Sequence, residues 1–90
     1  MKASDFEIGN EFTTADGTRK WRVTDVGTRT VVAIRLDQTK VRTHREAGTH
    51  EEWLSEAEAR DSGWFNGPPY AVAEYVFDEH DLEVAKKLPA

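Results

Sequence analysis

The chain has 90 residues and a mass of 10.2 kDa, a length that fits one domain. It has no cysteine and a net charge of −5, which excludes disulfide scaffolds, cysteine-held zinc, iron–sulfur clusters and thiol catalysis and argues against a general nucleic-acid binder. Leu, Ile, Val and Phe number 18 of the 90 residues, at the lower edge for a folded chain; three Trp and two Tyr add buried area, enough for a small core but not for a large enzyme with a deep enclosed cleft.

Phe6-Glu7-Ile8 alternates apolar and polar residues and stops at Gly9, and Glu11 to Thr14 continues in extended style. Asp16-Gly17 between two β-prone runs is a hairpin signal. Lys20 to Val26 alternates again, with Trp21, Val23 and then Asp25 on one face and Lys20, Arg22 and Thr24 on the other. After Gly27-Thr28-Arg29, the run Thr30 to Leu36 places Val32, Ile34 and Leu36 on one side and Val31, Ala33 and Arg35 on the other. Together these segments predict a three-stranded antiparallel meander. Residues 37–52 break the pattern, because Val41 is their one sizeable aliphatic. They read as a mobile loop or an extended hairpin tip.

Ser55-Glu56-Ala57-Glu58 is a capping-box signature and predicts a short helix over residues 55–62, closed by Ser62-Gly63. Trp53 and Leu54 precede the cap, where a hydrophobic staple would sit. Trp64 to Tyr70 is a stiff aromatic and proline loop, and Ala71 to Phe77 reads as a fourth strand. Asp78 caps a last helix over residues 79–88, with Leu82, Ala85 and Leu88 as its apolar stripe and Pro89 as its stop. The expected fold is one α+β domain spanning residues 1–90. It has a small bent antiparallel sheet of four or five strands, SH3-like and partly an open barrel, with one short helix and a C-terminal helix. The expected core is Phe6, Ile8, Phe12, Trp21, Val23, Val32, Ile34, Leu36, Val76, Phe77 and Leu82.

The first residues after Lys2 form no apolar stretch, so no signal peptide is expected. The longest wholly apolar run, Val31 to Ile34, is far below the roughly 20 residues that cross a bilayer. The expectation is a cytoplasmic protein without a membrane partner. Charge is uneven: residues 1–45 carry +3 and residues 46–90 carry −8. Such asymmetry marks either one basic and one acidic face or two layers that pair with each other.

Two blocks, TDVGTRTVVAI at 24–34 and GPPYAVAEYVFDE at 67–79, resemble the TDxGxRTxxAI and GPPYAVxExVFDE blocks of a group of small bacterial proteins. The resemblance covers about half the chain and implies a bacterial origin. That group has no assigned activity, so the resemblance implies no site residues. The strand pattern also looks like small SH3-like barrels, an analogy of fold that leaves function open.

Asp78-Glu79-His80-Asp81 sets four metal-ligand types in a row. Consecutive residues point in different directions, and neither helical i, i+4 spacing nor a glycine-turned loop is present. A helix cap with dipole-favourable charges is the simpler reading. His44 and His50 lie in the polar stretch and His80 far beyond it, so a metal-dependent enzyme through the three requires that stretch to fold over the last helix. No elbow serine and no cysteine offers a nucleophile. The chain is expected to be no enzyme and to carry no cofactor. Asp25 and Arg29 flank the Gly27 turn and can bond each other, with Glu74 as a further polar partner; alternatively the Arg29 fork reads a carboxylate or phosphate. Arg19, Lys20, Arg22, Arg29, Lys40, Arg42 and Arg45 could form a basic face of a nucleic-acid accessory protein, but no surface aromatics interleave them in sequence. The aromatic–proline loop is the most specific local feature. Its rings either plug the end of the sheet or form a recognition patch. The leading expectation is a non-enzymatic protein- or peptide-binding module acting through Trp64, Phe65, Pro68, Pro69, Tyr70 and Arg29.

Overall fold

The computed structural model describes residues 1–89, the side chains of Thr43, His44 and Arg45 excepted. Its elements are, in chain order, β1 (Glu11–Thr14), β2 (Arg19–Val26), β3 (Val31–Arg35), β4 (Thr39–Arg45), β5 (Gly48–Leu54), α1 (Glu56–Asp61), β6 (Glu74–Phe77), α2 (Glu79–Leu82) and β7 (Lys86–Lys87). Five strands form an antiparallel sheet in the order β6-β3-β2-β1-β7, while β4 and β5 form a separate two-stranded ribbon. Among the described residues, no helix is long and apolar enough to cross a membrane.

The meander forms where alternation and turn residues place it. β1 and β2 meet at the Asp16-Gly17 turn, where the Thr18 amide and hydroxyl both donate to the Ala15 carbonyl. The turn between β2 and β3 closes with the Gly27 amide on the Thr30 carbonyl at 2.8 Å. A bulge interrupts their register, so that Val23 opposes Ala33 but Asp25 opposes Val32. Without it Asp25 would follow Trp21 and Val23 into the apolar face. The extra residue turns Asp25 out to solvent and Val26 in against the core.

The sheet buries residues on both faces. On one, Phe12, Trp21, Val23, Val31 and Ala33 are covered by Ala3 and Phe6 from the N-terminus and by Leu82 and Ala85 near the C-terminus. Three T-shaped ring pairs tie this layer together: Phe6 on Phe12, Phe12 on Phe77 and Trp21 on Phe77, with centroids 4.8–5.3 Å apart. On the other face, Ile34 and Leu36 are covered by Ala59 of α1 and by Phe65, with Trp64, Tyr70 and Val72 packed against them. α1 starts where the capping box places it: the Ser55 hydroxyl accepts from the Glu58 amide and the Glu58 carboxylate accepts from the Ser55 amide.

Four expectations change. The sheet is not closed: β6 and β7 stand at opposite ends of its order, and an SH3-like barrel is not shown. A barrel has one inside, whereas β3 here sends apolar side chains into two separately covered layers. Ile8 and Val76 are exposed. Ile8 lies at the tip of a turn held by the Asn10 amide on the Glu7 carbonyl and the Gly9 amide on the Val23 carbonyl. Val76 opposes Val32 on the second face without being part of the cluster beneath α1. The last helix stops at Leu82 instead of Leu88. The chain then extends so that Lys86 and Lys87 pair with β1, and the Leu88 amide donates to the Glu11 carbonyl at 2.8 Å. Pairing satisfies main-chain groups on β1 that a longer helix would leave open. Finally, residues 39–54 take the hairpin form of the two readings. Arg42 lies opposite Glu51, which accepts from both Lys40 and Arg42, and Gly48 takes φ +125° at the end of the turn. The described residues from Glu46 to Trp53 are all exposed, so cross-strand charge pairs take the place of a core in the ribbon.

Candidate functional site

The residues expected to bind divide between the core and two surfaces. Phe65 is 4% exposed, and Trp64 and Tyr70 are half-buried against the same cluster. Gly67 permits this packing, since a Cβ there would lie 2.6 Å from the Tyr70 ring. Pro68 and Pro69 are exposed. The guanidinium carbons of Arg22 and Arg60 stand 5.8 and 6.0 Å from the centre of the Phe65 ring, so the loop packs α1 onto the sheet with most of its ring surface. Arg29 stands apart at the β2–β3 turn, exposed and 4.0 Å from Glu79. It lines an open concavity of about 540 Å³ whose other polar walls include Asp78, Glu79, His80 and Glu83. Asp25 accepts from the Val26 amide rather than from Arg29, and Glu74 accepts from the Thr24 hydroxyl.

The histidines are dispersed as well. His50 on β5 lies 3.6 Å from Glu52 and His80 on α2 lies 3.7 Å from Glu83, while the His44 side chain falls outside the described residues. Among the described residues, no group of three His, Cys, Asp or Glu is placed to hold a metal. The run Asp78 to Asp81 acts as a cap, the Asp81 amide donating to Asp78 and the Asp78 amide to Asp81.

Most of the cations of the basic stripe already hold carboxylates. Lys20 bridges Glu11 and Glu56, Arg22 approaches Glu11, Arg29 approaches Glu79, and Lys40 and Arg42 share Glu51. The Arg45 side chain is outside the described residues. The positive first half and the negative second half of the chain therefore pair with each other at Lys20–Glu56, Arg29–Glu79 and Glu51. These pairs carry a pH dependence. Burial acts to raise the Glu56 carboxyl, but hydrogen bonds from Lys20 and Arg60 outweigh it and hold it below its ordinary value. Asp37 is held low in the same way, with the Arg35 fork and the Lys20 amide outweighing burial. A carboxylate lowered on folding stabilises above its unfolded value and loses that contribution as pH falls through its folded value. Urea midpoints are therefore expected to hold steady from pH 7 down to about 5 and to fall below about 4. Glu56→Gln is expected to be less stable than the parent at pH 7 and to flatten that slope. A midpoint that rises on acidification would contradict these pairings.

Two rings that the sequence does not mark as a pair remain in the open. Trp53 is 62% exposed and Tyr75 48%. Trp53 sits on β5 opposite Lys40, whose Nζ lies 5.8 Å from the ring centre. Tyr75 sits on β6 opposite Ala33 and packs edge-on against Trp21 at 5.3 Å. A cleft of about 260 Å³ runs between them. One wall is Ala71, Val72 and Ala73, where the aromatic–proline loop runs out toward β6; Thr39 and Arg35 line it as well. Arg35 is fixed by a two-point fork to Asp37, at 3.0 and 2.9 Å. Thr39 is 4% exposed, and among the described residues its hydroxyl has no hydrogen-bond partner. A further concavity of about 310 Å³ shares Arg35 and Tyr75 with the cleft and continues to Arg19, Val76 and Asp81.

The cleft borders an open sheet edge, because β6 ends the strand order. The Gly27 amide bonds the Thr30 carbonyl and the Leu36 amide bonds the Lys20 carbonyl, which directs the main-chain groups of Thr30, Val32, Ile34 and Leu36 toward β2. Those of Val31 and Ala33 then point toward β6, where they meet Phe77 and Tyr75. By the same alternation, the amides and carbonyls of Glu74 and Val76 point away from the sheet. Tyr75 and Trp53 escape a reading by motif because each is a single ring in a stretch set by its neighbours. Trp53 follows Thr49-His50-Glu51-Glu52, where a large ring on a ribbon without a core has little to pack against. Comparison of the chain with protein-family models, with curated proteins and with solved structures finds no match.

Proposed function

We propose that this protein is a non-enzymatic binding module that takes an extended segment of a partner protein as an added strand along β6, beside the cleft between Trp53 and Tyr75. The observation that carries the reading is the edge itself. The outward main-chain groups of Glu74 and Val76 can bond an incoming strand, and an added strand gains affinity from such bonds and specificity from pockets that take alternate side chains. Edge strands in general are shielded by prolines, lysines or a covering element. Glu74-Tyr75-Val76-Phe77 has no lysine or proline, and Val76 is 66% exposed. The exposed Pro68 and Pro69 stand at the start of the stretch that leads into the cleft, so the aromatic–proline loop serves as one end of the surface and not as its centre.

The test is Val76→Pro. The residue's amide faces out, so proline removes a donor that the sheet does not use, and an edge strand tolerates it there. The variant is expected to keep its fold, with circular dichroism and urea midpoint close to the parent. It is expected to lose at least about tenfold in affinity for extended peptides selected on the parent protein, as one blocked main-chain bond with its shifted register costs about 1.4 kcal/mol or more. A folded Val76→Pro protein that binds those peptides as tightly as the parent overturns the proposal.

A further inference from the structure

We infer that the cleft between Trp53 and Tyr75 reads an acidic side chain of the added strand, so that the segment bound on β6 alternates acidic and aliphatic residues. The inference rests on the strand-addition reading and goes beyond it by naming what enters the cleft.

Charge around the described concavities is the first ground. On a chain with net charge −5, the concavity at Arg29 is walled by Asp78, Glu79 and Glu83, and the one at Arg19 holds Asp81. The cleft has Arg35 and Lys40 in its lining and no carboxylate there. An anionic group is disfavoured at the first, faces a carboxylate at the second, and meets two cations and no opposing acid in the cleft. Both cations have donors left over. Asp37 takes two of the five N–H groups of Arg35, and Glu51 pairs with Lys40 at 3.1 Å, leaving two of its three protons. Thr39 lines the cleft as well, its buried hydroxyl without a hydrogen-bond partner among the described residues. Trp53 and Tyr75 flank the cleft, and a charge-assisted hydrogen bond made between them is stronger than a neutral one.

Strand geometry supplies the alternation. Side chains of an added strand point to the two faces in turn. Those on the Tyr75 side meet the cleft at the Glu74 end and Asp81 at the Phe77 end, so the acid belongs near Ala73 and Glu74 and not at the other end. Those on the opposite side meet exposed Val76 and half-buried Val32, where aliphatic residues fit. The cleft thereby sets which residue of the strand lies where, a register that main-chain bonds alone leave free.

The experiment is a fluorescence titration of the parent, Lys40→Glu and Val76→Pro proteins with three acetylated and amidated pentapeptides, in which valine alternates with glutamate, glutamine or lysine. The parent is expected to bind the glutamate peptide at least about fivefold more tightly than the glutamine peptide, the scale of one partly exposed ion pair. Lys40→Glu, a change at an exposed ribbon residue, is expected to reverse the order in favour of the lysine peptide. Val76→Pro is expected to weaken all three. If the glutamate and glutamine peptides bind alike and Val76→Pro still weakens both, the acid preference is overturned and strand addition stands. If none of the peptides binds, or Val76→Pro leaves glutamate binding unchanged, strand addition fails and takes this inference with it. If oligothymidylate binds the same cleft and displaces the glutamate peptide at 150 mM salt, the rings and cations serve a single-stranded nucleic acid instead, and the inference is overturned.

Discussion

Phe12→Ala is expected to leave the domain close to or beyond its unfolding midpoint at 25 °C. Phe12 is fully buried and holds three parts of the fold at once: its ring meets Phe6 at 5.2 Å and Phe77 at 5.3 Å, both edge-on, and its backbone pairs with Trp21 and Lys87. Removing a buried phenylalanine side chain costs about 3–5 kcal/mol, because the lost burial adds to an unfilled cavity. A domain of this size with no disulfide has little beyond about 5 kcal/mol to lose. Urea denaturation followed by tryptophan fluorescence checks the result, and a loss below about 1 kcal/mol would contradict the place given to Phe12.

Phe65→Ala is expected to cost about 3–4 kcal/mol, through the other face of the sheet. Phe65 closes the cluster of Ile34, Leu36 and Ala59, and the guanidinium groups of Arg22 and Arg60 lie 5.8 and 6.0 Å from its ring centre. Without it α1 keeps Ala59 as its one buried residue, and Lys20–Glu56 is the ion pair that ties the six-residue helix to the sheet. Exposed ion pairs of that kind contribute about 1 kcal/mol or less each. Trp53→Ala serves as the contrast. It truncates a larger ring, yet that ring lies mostly in solvent, so its cost is expected to stay within about 0.5 kcal/mol. Urea midpoints of the two variants separate a ring that holds the fold from a ring free to meet a partner. Equal losses at Phe65 and Trp53 would remove the distinction on which the cleft depends.

The elements legible in the sequence are those written by local chemistry. Alternation over Lys20–Val26 and Thr30–Leu36, the Asp16-Gly17 turn and the Ser55–Glu58 capping box each name a structure within a few residues, and each is present. What escaped depends on distant neighbours. Val31 and Ala33 read as the outward side of β3, but the N-terminal segment and α2 return to cover them. The helix begun at Asp78 ends after four residues because an open edge on β1 competes for Lys86 and Lys87. The β4–β5 ribbon is hard to read by periodicity because its cross-strand contacts are largely ionic, with Glu51 between Lys40 and Arg42. The candidate site follows the same division. The rings that the sequence groups together, Trp64, Phe65 and Tyr70, turn toward the core; the pair that frames the cleft, Trp53 and Tyr75, is brought together only when the ribbon root meets the run into β6.

Binding along β6 requires that its outer edge be free before any partner arrives. Amide hydrogen exchange of the unliganded protein, read by NMR across Glu74–Phe77, measures this directly. The amides of Tyr75 and Phe77, directed at β3, are expected to exchange at least about tenfold more slowly than those of Glu74 and Val76, which face water. Equal protection at Val76 and Tyr75 would mean that the edge is already covered, and the site would have to be sought elsewhere.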